Sequence, residues 1–444
     1  MRLTARRAEL RSMTRWPLWA KPTLAIVSAL LLGLVLSMIE VAADSLLGRV
    51  AFKGDATDAR QLLATVTSTM ITVTSLVFVL TVVALQIAST QFSPRLLRSF
   101  LRDSGTQLVL STFVGTVAYS LAGLHTVGSP DAGGSAFVPR LAVSGALALA
   151  LISVGMLVYY IQHITNSIRI DTIMSDVATM TLHLVRETMP LGQPDHAAAT
   201  PPDRPHSAAA LVAPRSGYVQ AIDPRPVAEL ALGDGATVVI TAMTGFHVVR
   251  GRPIGWIDGA ADIERYQRVV GRTLIIHRER KIEQDVGFGL RQLVDIAGRA
   301  LSPSLNDPYS AVQAIHHATV VLTEMARRHV APVRICDDAG DLRVFATGLD
   351  LVIHLQIVCG HVRWSMAHRP NVALALLLML ENVHGETDDP VRGAAIDREI
   401  DLILDEAERV GWLPAELATV REAAGRARQR AVRDAVGPGP AESS

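Results

Sequence analysis

The chain has 444 residues, enough for two or more domains, and its 42 basic and 42 acidic residues cancel. A balanced charge gives no electrostatic signal for nucleic acid or acidic partners, so no nucleic-acid partner is expected. The two cysteines, Cys336 and Cys359, lie far apart and indicate reduced cytosolic thiols, which argues against a disulfide framework or a paired-cysteine zinc site.

The first 164 residues are apolar and predict four membrane-spanning helices. Residues 1–22 form a basic segment that ends with two tryptophans, which is typical of a cytoplasmic entry into a membrane. A four-span transmembrane domain is then predicted at 23–164. Its apolar runs are 23–41, 62–95, 107–127 and 137–164.

Lysine and arginine are concentrated in three places along this domain. They lie in the amino terminus, in the loop after the second run (Arg95, Arg98 and Arg102) and from Arg169 onward. Because cytoplasmic loops carry the excess of basic residues, this distribution predicts that both termini are cytoplasmic. The expected location is the bacterial inner membrane, with membrane lipid as a partner.

Beyond the membrane domain the sequence resembles that of a soluble protein. The predicted parts are a helical connector (165–189), a linker (190–210), a small β module (211–258), a mainly helical cytoplasmic domain (259–436) and a disordered tail (437–444). The fold class is therefore a mainly α membrane protein. A four-helix transmembrane region is followed by a cytoplasmic α+β region, in which a small β-barrel-like module precedes the helices.

The phrase GFHVVRGRPIGWI in the β module resembles the strand-turn-strand of lipoyl-like barrel-sandwich domains. No lysine stands in its turn, so the resemblance implies a structural module without a carried lipoyl or biotinyl group. No cofactor is expected.

The second apolar run has an unusual number of hydroxyl side chains for a lipid-facing anchor. On a helix, where successive residues are about 100° apart, one stripe carries hydroxyls, then valines, then an amide, and it leads to two arginines. The members of this stripe are Thr65, Ser68, Thr69, Thr72, Ser75, Val79, Val83, Gln86, Arg95 and Arg98.

Two interpretations of the stripe stay open. In the first, the stripe lines a water-filled pathway, with an apolar constriction between the hydroxyls and the basic end. Alternatively, its hydroxyls bond to carbonyls of their own helix or let neighbouring helices approach closely. Thr67, Thr74 and Thr81 lie on the opposite face, which weakens the first interpretation.

A second dense motif is DVGFGLRQLVDIAGRALSPSLNDPYSAVQAIHH, at 285–317. With the second-span sequence and the SGYVQAID phrase, it resembles a family of uncharacterised bacterial predicted inner-membrane proteins, a domain of unknown function. That family pairs four amino-terminal membrane spans with an SPxxNDP soluble motif. The resemblance covers most of the chain and implies no established activity.

The motif contains charged and amide side chains that suggest either a small-ligand or ion site, or a capped loop with ordinary ion pairs. These residues are Asp285, Arg291, Asp295, Arg299, Asn306 and Asp307. Asp307 before Pro308 is the pattern of a helix start, with Asp307 as N-cap. Because no nucleophile accompanies the cluster, the capped loop is the favoured interpretation.

No other motif suggests chemistry. The histidines His316, His317, His354 and His361, with Cys359, are spaced poorly for a shared metal ion, so no metal site is expected. The sequence has no phosphate-binding loop, dinucleotide fingerprint, nucleophile elbow or zinc-protease motif, so no catalytic residues and no enzyme activity are expected.

Two functional hypotheses follow from these patterns. The first is an oligomeric inner-membrane channel, a cyclic homo-oligomer that conducts ions, with anions favoured because arginines stand at its cytoplasmic mouth. In this case the soluble part is a regulatory domain. The second is a non-conducting, membrane-anchored sensor or scaffold whose cytoplasmic domain binds a ligand or partner.

Overall fold

The computed structural model describes most of the chain in two units that divide near residue 173. The described residues are 19–39, 51–91, 103–128, 137–192, 200–280, 285–328, 332–348, 350–366 and 369–435. Among the predicted features, residues 1–18, Arg95, Arg98, Arg102 and the tail 437–444 lie outside the described residues.

Within the described residues, the first unit has four helices that are long and apolar enough to cross a bilayer. They are α1 (Ala20–Met38), α2 (Ala56–Gln91), α3 (Ser104–Thr126) and α4 (Arg140–Ser167). The four predicted spans are therefore confirmed, although α2 begins six residues before the apolar run because its first turn is polar.

The third helix has the largest share of its apolar stretch buried among the four. Gly33 of α1 lies so close to it that an added Cβ would be 2.9 Å from Ala122 Cβ and 3.0 Å from Tyr119 O. On the other side, a Cβ at Gly145 of α4 would clash with the Tyr119 hydroxyl. Small residues thus let neighbouring helices approach α3, as is common for helix packing in membranes.

Polar contacts join the helices inside this unit. The hydroxyls of Thr116 and Ser153 are 3.1 Å apart in its interior. Asp103 caps the start of α3 by accepting from Thr106 N at 2.7 Å, and it also lies 2.6 Å from His163 Nε2 of α4. These bonds keep polar groups paired where water is scarce.

Helix α5 (Ile170–Thr188) follows α4 and corresponds to the predicted connector. The predicted linker is described only at its two ends, since residues 193–199 are outside the described residues. Strand β1 already begins at Ala209, inside the predicted linker range, and Ser207 Oγ donates to Asp258 at 2.7 Å.

The β region consists of two open sheets. Its elements are β1 (Ala209–Val212), β2 (Gly217–Ile222), α6 (Arg225–Asp234), β3 (Thr237–Ile240), β4 (His247–Val248), β5 (Pro253–Asp258), α7 (Ile263–Thr273), β6 (Leu274–His277), β7 (Val333–Cys336) and β8 (Leu342–Ala346). The strand orders are β1-β5-β3-β8-β7 and β4-β2-β6. The described strands do not close into a barrel, so that part of the expectation is corrected.

Three of these strands lie outside the predicted module at 211–258. Strand β8 pairs with β3 in parallel, placing Val238 opposite Val344, and β7 pairs with β8. Strand β6 pairs with β2. The sequence does indicate the β7–β8 pair, as two short strand-like runs around an Asp-Asp-Ala-Gly turn. A local pattern does not reveal that this pair joins β3, so these segments fell within the predicted helical domain.

The remaining elements are helical. They are α8 (Val286–Ala300), α9 (Pro308–Ala326), α10 (Leu351–Arg363), α11 (Pro370–His384), α12 (Pro390–Val410) and α13 (Pro414–Ala435). Asp307 accepts from Ser310 N at 3.1 Å and Pro308 is the first helical residue, which confirms the predicted helix start.

A buried arginine connects three of these helices. Arg392 in α12 is 1% exposed, and its guanidinium donates to the carboxylate of Asp350, the N-cap of α10. The same group donates to Ala326 O at 3.2 Å and Arg328 O at 2.9 Å, at the end of α9. The acidic and basic residues of α12 are typical of a solvated surface helix, but the face that carries Arg392 and Glu399 is buried.

We expect Arg392→Leu to destabilise the second unit by about 3–5 kcal/mol, because it leaves buried acceptors and a carboxylate without their partner. The matched control is Arg421→Leu, which removes an exposed ion pair with Glu408 and should cost less than about 1 kcal/mol. Thermal unfolding of the purified full-length chain measures both. Equal effects would contradict the structural role of Arg392.

Candidate functional site on the second span

The hydroxyl stripe of α2 lies on an exposed face that mostly points away from the other three spans, with Thr65 and Thr69 at its edge toward α4. Every stripe member whose side chain the structure describes is exposed: Thr65, Ser68, Thr69, Thr72, Ser75, Val79, Val83 and Gln86. Arg95 and Arg98, which complete the predicted stripe, are outside the described residues. The four-helix unit thus leaves this face uncovered along about five turns of helix.

The exposed hydroxyls donate hydrogen bonds to their own helix. Thr65 Oγ1 donates to Gln61 O at 2.8 Å, Thr72 Oγ1 to Ser68 O at 3.0 Å and Ser75 Oγ to Ile71 O at 2.9 Å. The hydroxyl proton is therefore used inside the helix, and the oxygen remains an acceptor toward the outside.

The opposite face of α2 packs within the unit. Thr67 is buried, Thr74 and Thr81 are half-buried, and a 2.5 Å hydrogen bond joins the hydroxyls of Thr81 and Tyr160 in α4. The two sets of hydroxyls on α2 therefore have different surroundings. One set packs inside the unit and the other is exposed.

In the described middle sections of the other spans, exposed hydroxyls do not form a stripe: Ser28 of α1 is exposed by itself. Thr116 and Ser120 of α3 and Ser153 of α4 are buried inside the unit. Between residues 147 and 158, the exposed residues of α4 are all apolar: Leu147, Ala148, Leu151, Ile152, Val154, Gly155 and Val158. Such a surface is typical of lipid contact, whereas that of α2 is mixed.

A shallow groove runs between α2 and α4. Thr65 and Thr69 lie on the α2 side and Ala150, Val154 and Leu157 on the α4 side. Its lining is almost entirely apolar, so it provides no charged or catalytic group. We therefore regard the exposed α2 face, rather than the groove, as the candidate site.

The six residues of the soluble motif do not converge on one point. Asp285 is the buried N-cap of α8 and pairs with Arg280 through two hydrogen bonds of 2.7 and 2.9 Å. Arg291 and Asp295 form an ion pair one turn apart on the same helix, at 3.0 Å. Arg299 stands at the other end of α8, roughly 20 Å from Asp285.

Asn306 and Asp307 stand beyond that far end of α8, in the loop before α9. Asn306 has a φ of +46° and accepts from Arg369 Nη2 at 2.8 Å. The hydrogen bond from the Ser310 hydroxyl is the main factor that lowers the pKa of Asp307, so this carboxylate is charged at neutral pH. This arrangement matches the capped-loop interpretation.

The histidines are held by their own helices. His354 Nδ1 lies 2.9 Å from Asp350 O, and His361 Nδ1 lies 3.1 Å from Ile357 O. Burial lowers the pKa of His354, so its ring is neutral. In the part of the chain that the structure describes, no three His, Cys, Asp or Glu side chains come together as a metal site.

The comparison with known proteins identifies the family. A family model described as "Predicted membrane protein (DUF2254)" matches residues 15–382. The chain belongs to this family. Its DUF2254 relatives include the uncharacterized proteins Rv1290c of Mycobacterium tuberculosis and Mb1321c of Mycobacterium bovis. Each is 41% identical over 429 residues, covering 95% of this chain and 82% of the relative.

No solved structure matches the chain. The DUF2254 match confirms the resemblance found from the second span and the soluble motif, and it adds no activity. It covers both the membrane unit and most of the soluble unit, so both parts belong to the family's shared sequence.

Three polar contacts of this DUF2254 chain were not predicted from the sequence: the Asp103–His163 hydrogen bond and the Arg280–Asp285 and Arg392–Asp350 ion pairs. Asp285 and Asp350 stand at helix starts, and this position gave a signal for the acidic partner. No local pattern indicates the basic partner, because two of the three contacts join segments that are distant in sequence.

We expect Asp307→Ala to lower the stability of the second unit by about 1 kcal/mol, because α9 loses its N-cap. Since the pKa of Asp307 is lowered in the folded chain, this contribution is present at neutral pH and disappears as the pH falls through the folded-state pKa. Thermal unfolding of the full-length chain at neutral and acidic pH measures it.

The control for this change is Asp338→Ala, at an exposed position in the turn between β7 and β8, where an effect within about 0.5 kcal/mol is expected. If Asp307→Ala left stability unchanged but abolished a ligand response or a current, the loop would be a binding site and the capping role would be secondary.

Proposed function

We propose that the chain forms an oligomeric inner-membrane channel in which the exposed face of α2 surrounds a common axis and ions pass along it. Four spans of one chain enclose little water, so the proposal needs several copies. The single observation that carries it is the contrast between the exposed hydroxyls of α2 and the apolar exposed surface of α4.

This contrast has an energetic basis. A hydroxyl that donates to its own helix is tolerated in lipid, but it gains nothing there in comparison with an alkyl side chain. When the same hydroxyl faces water, its oxygen also accepts hydrogen bonds from water molecules. A stripe with Thr65, Thr72 and Ser75 on one exposed face is therefore better matched to an aqueous axis than to acyl chains.

The proposed pathway changes character along α2. The hydroxyls end at Ser75, and Val79, which is 56% exposed, and Val83 follow on the same face. A ring of valines from several copies would form an apolar constriction that closes by dewetting. Gln86 comes next, on the side that leads to Arg95 and Arg98.

The proposed selectivity for anions depends on those two arginines. The hydroxyls themselves act as acceptors on their outer side, since their protons are donated to the helix, so they supply contacts to water and provide no preference for anions. Arg95 and Arg98 would supply the positive potential at the mouth. Cytoplasmic placement of both termini, from the distribution of basic residues, puts this mouth on the cytoplasmic side.

A second candidate function is a non-conducting anchor for a sensor or scaffold. The hydrogen bonds of the α2 hydroxyls to their own carbonyls favour it, because a helix that satisfies its own donors needs no water beside it. In this alternative the membrane unit holds the soluble unit at the bilayer, and the soluble unit binds a ligand or partner.

We expect Val79→Ser to raise the ion conductance, because one hydroxyl per copy stabilises water in the narrowest apolar stretch. Planar-bilayer recordings of the purified, reconstituted chain measure the current. Under a salt gradient, Arg95→Glu should shift the reversal potential toward that of cations.

The matched control is Thr74→Val on the packed face of α2, which should leave the current unchanged provided that the protein still assembles. If neither the unchanged chain nor Val79→Ser carries current, the channel proposal fails and the anchor takes its place. If Arg95→Glu leaves the reversal potential unchanged, the channel proposal stands, but the proposed anion selectivity loses its basis.

A further inference from the structure

One end of the soluble helical region exposes large apolar and aromatic side chains. At this end the hairpin of α8 and α9 turns through residues 301–307, where Asp307 N donates to Ala300 O at 2.8 Å and Asn306 N to Ser302 O at 2.9 Å. These bonds make the turn compact and well defined.

The end of α10 lies beside this turn. Arg369 donates through Nη2 to Asn306 Oδ1 at 2.8 Å and through Nη1 to Ser365 O at 3.2 Å. Helix α10 starts where Asp350 meets Arg392, which also binds the last carbonyls of α9. Helices α9 and α10 therefore run in opposite directions, and the end of α10 reaches the start of α9.

Three side chains are notably exposed at this shared end. Trp364 is 72% exposed, Tyr309 is 71% exposed and Leu305 is 45% exposed. We call Leu305, Tyr309 and Trp364 the aromatic end. Tryptophan and tyrosine usually bury their rings and keep only a polar tip in water, so their joint exposure indicates a surface that is covered in use.

The charge around the aromatic end is mainly basic. Arg299 closes α8 and Arg369 bonds to the turn. Asp307 is the acidic group at this end, and its carboxylate is occupied by the backbone N–H and the hydroxyl of Ser310. Exposed aromatic rings beside arginines are the combination that suits the headgroup region of a bilayer.

We propose that the aromatic end docks on the surface of the membrane that the chain itself spans, with its rings among the headgroups and its arginines facing anionic lipid. The four spans keep this membrane within reach at high effective concentration, so a weak contact of three side chains is sufficient. The docking holds whether or not the chain conducts ions, and it would restrain the soluble helices at a fixed depth.

The test uses the full-length chain in nanodiscs, with an environment-sensitive fluorophore on a single cysteine. The background carries Cys336→Ser, since Cys336 is exposed and Cys359 is buried. The labelled positions are Tyr309→Cys and, as the matched control, Val320→Cys, which is 54% exposed on the same helix about three turns away.

Lipids that carry a nitroxide on the headgroup should quench the label at position 309 and leave the label at 320 bright. The quenching should be stronger in discs of phosphatidylcholine with phosphatidylglycerol than in phosphatidylcholine alone. Adding Arg299→Gln should remove that difference while the thermal unfolding curve stays unchanged.

Two outcomes would overturn the proposal. An equally bright, unquenched label at both positions would show that the aromatic end stays in water. A label at 309 that is shielded in detergent as well as in lipid, with shielding that depends on protein concentration, would show that a second copy of the chain covers this surface.

Discussion

Inside a bilayer a helix must satisfy its own polar groups, and this constraint shapes the membrane unit. Thr65, Thr72 and Ser75 meet it by donating to carbonyls one turn earlier in α2. Thr116 in the interior also donates to its own helix, to Thr112 O, and its oxygen lies 3.1 Å from the Ser153 hydroxyl of α4. The hydroxyl oxygens therefore have two surroundings in one chain: that of Thr116 has a partner on another helix, whereas those of the α2 stripe are on the outside.

That difference connects the fold to the proposed function. Because α3 is enclosed and α4 exposes alkyl side chains, the exposed middle section of α2 differs from both by carrying a stripe of hydroxyls. Close packing around Gly33 and Gly145 keeps α3 in the interior. The unit thus has one exposed surface that is apolar and one that carries hydroxyls as well as apolar side chains.

The soluble unit depends on a comparable constraint, which is that buried helix ends need partners. Arg392 satisfies the last carbonyls of α9 and the start of α10 with one guanidinium. Because these two ends are held together, the opposite ends of the same helices also meet, and the aromatic end is formed there. Trp364 and Tyr309 thus stand at the same end of this region, where Arg369 also bonds to Asn306.

The sequence was informative where the signal was local. Apolar runs predicted the four spans, and the Asp307–Pro308 pair predicted the start of α9. It was less informative where partners are distant. The pairing of β3 with β8, which brings Val238 to Val344, has no local signature. For the candidate site, the helical period separated the two faces of α2, but only the packing of α3 and α4 decides which face is exposed.

The central claim is that the hydroxyl face of α2 meets the same face of other copies. It is tested most directly by disulfide cross-linking between copies in native membranes, with Cys336→Ser as background. A cysteine in place of Ser75 should form cross-linked species, whereas one in place of Leu151, on the alkyl surface of α4, should not. Cross-linking at Leu151 alone, or at neither position, would contradict the account.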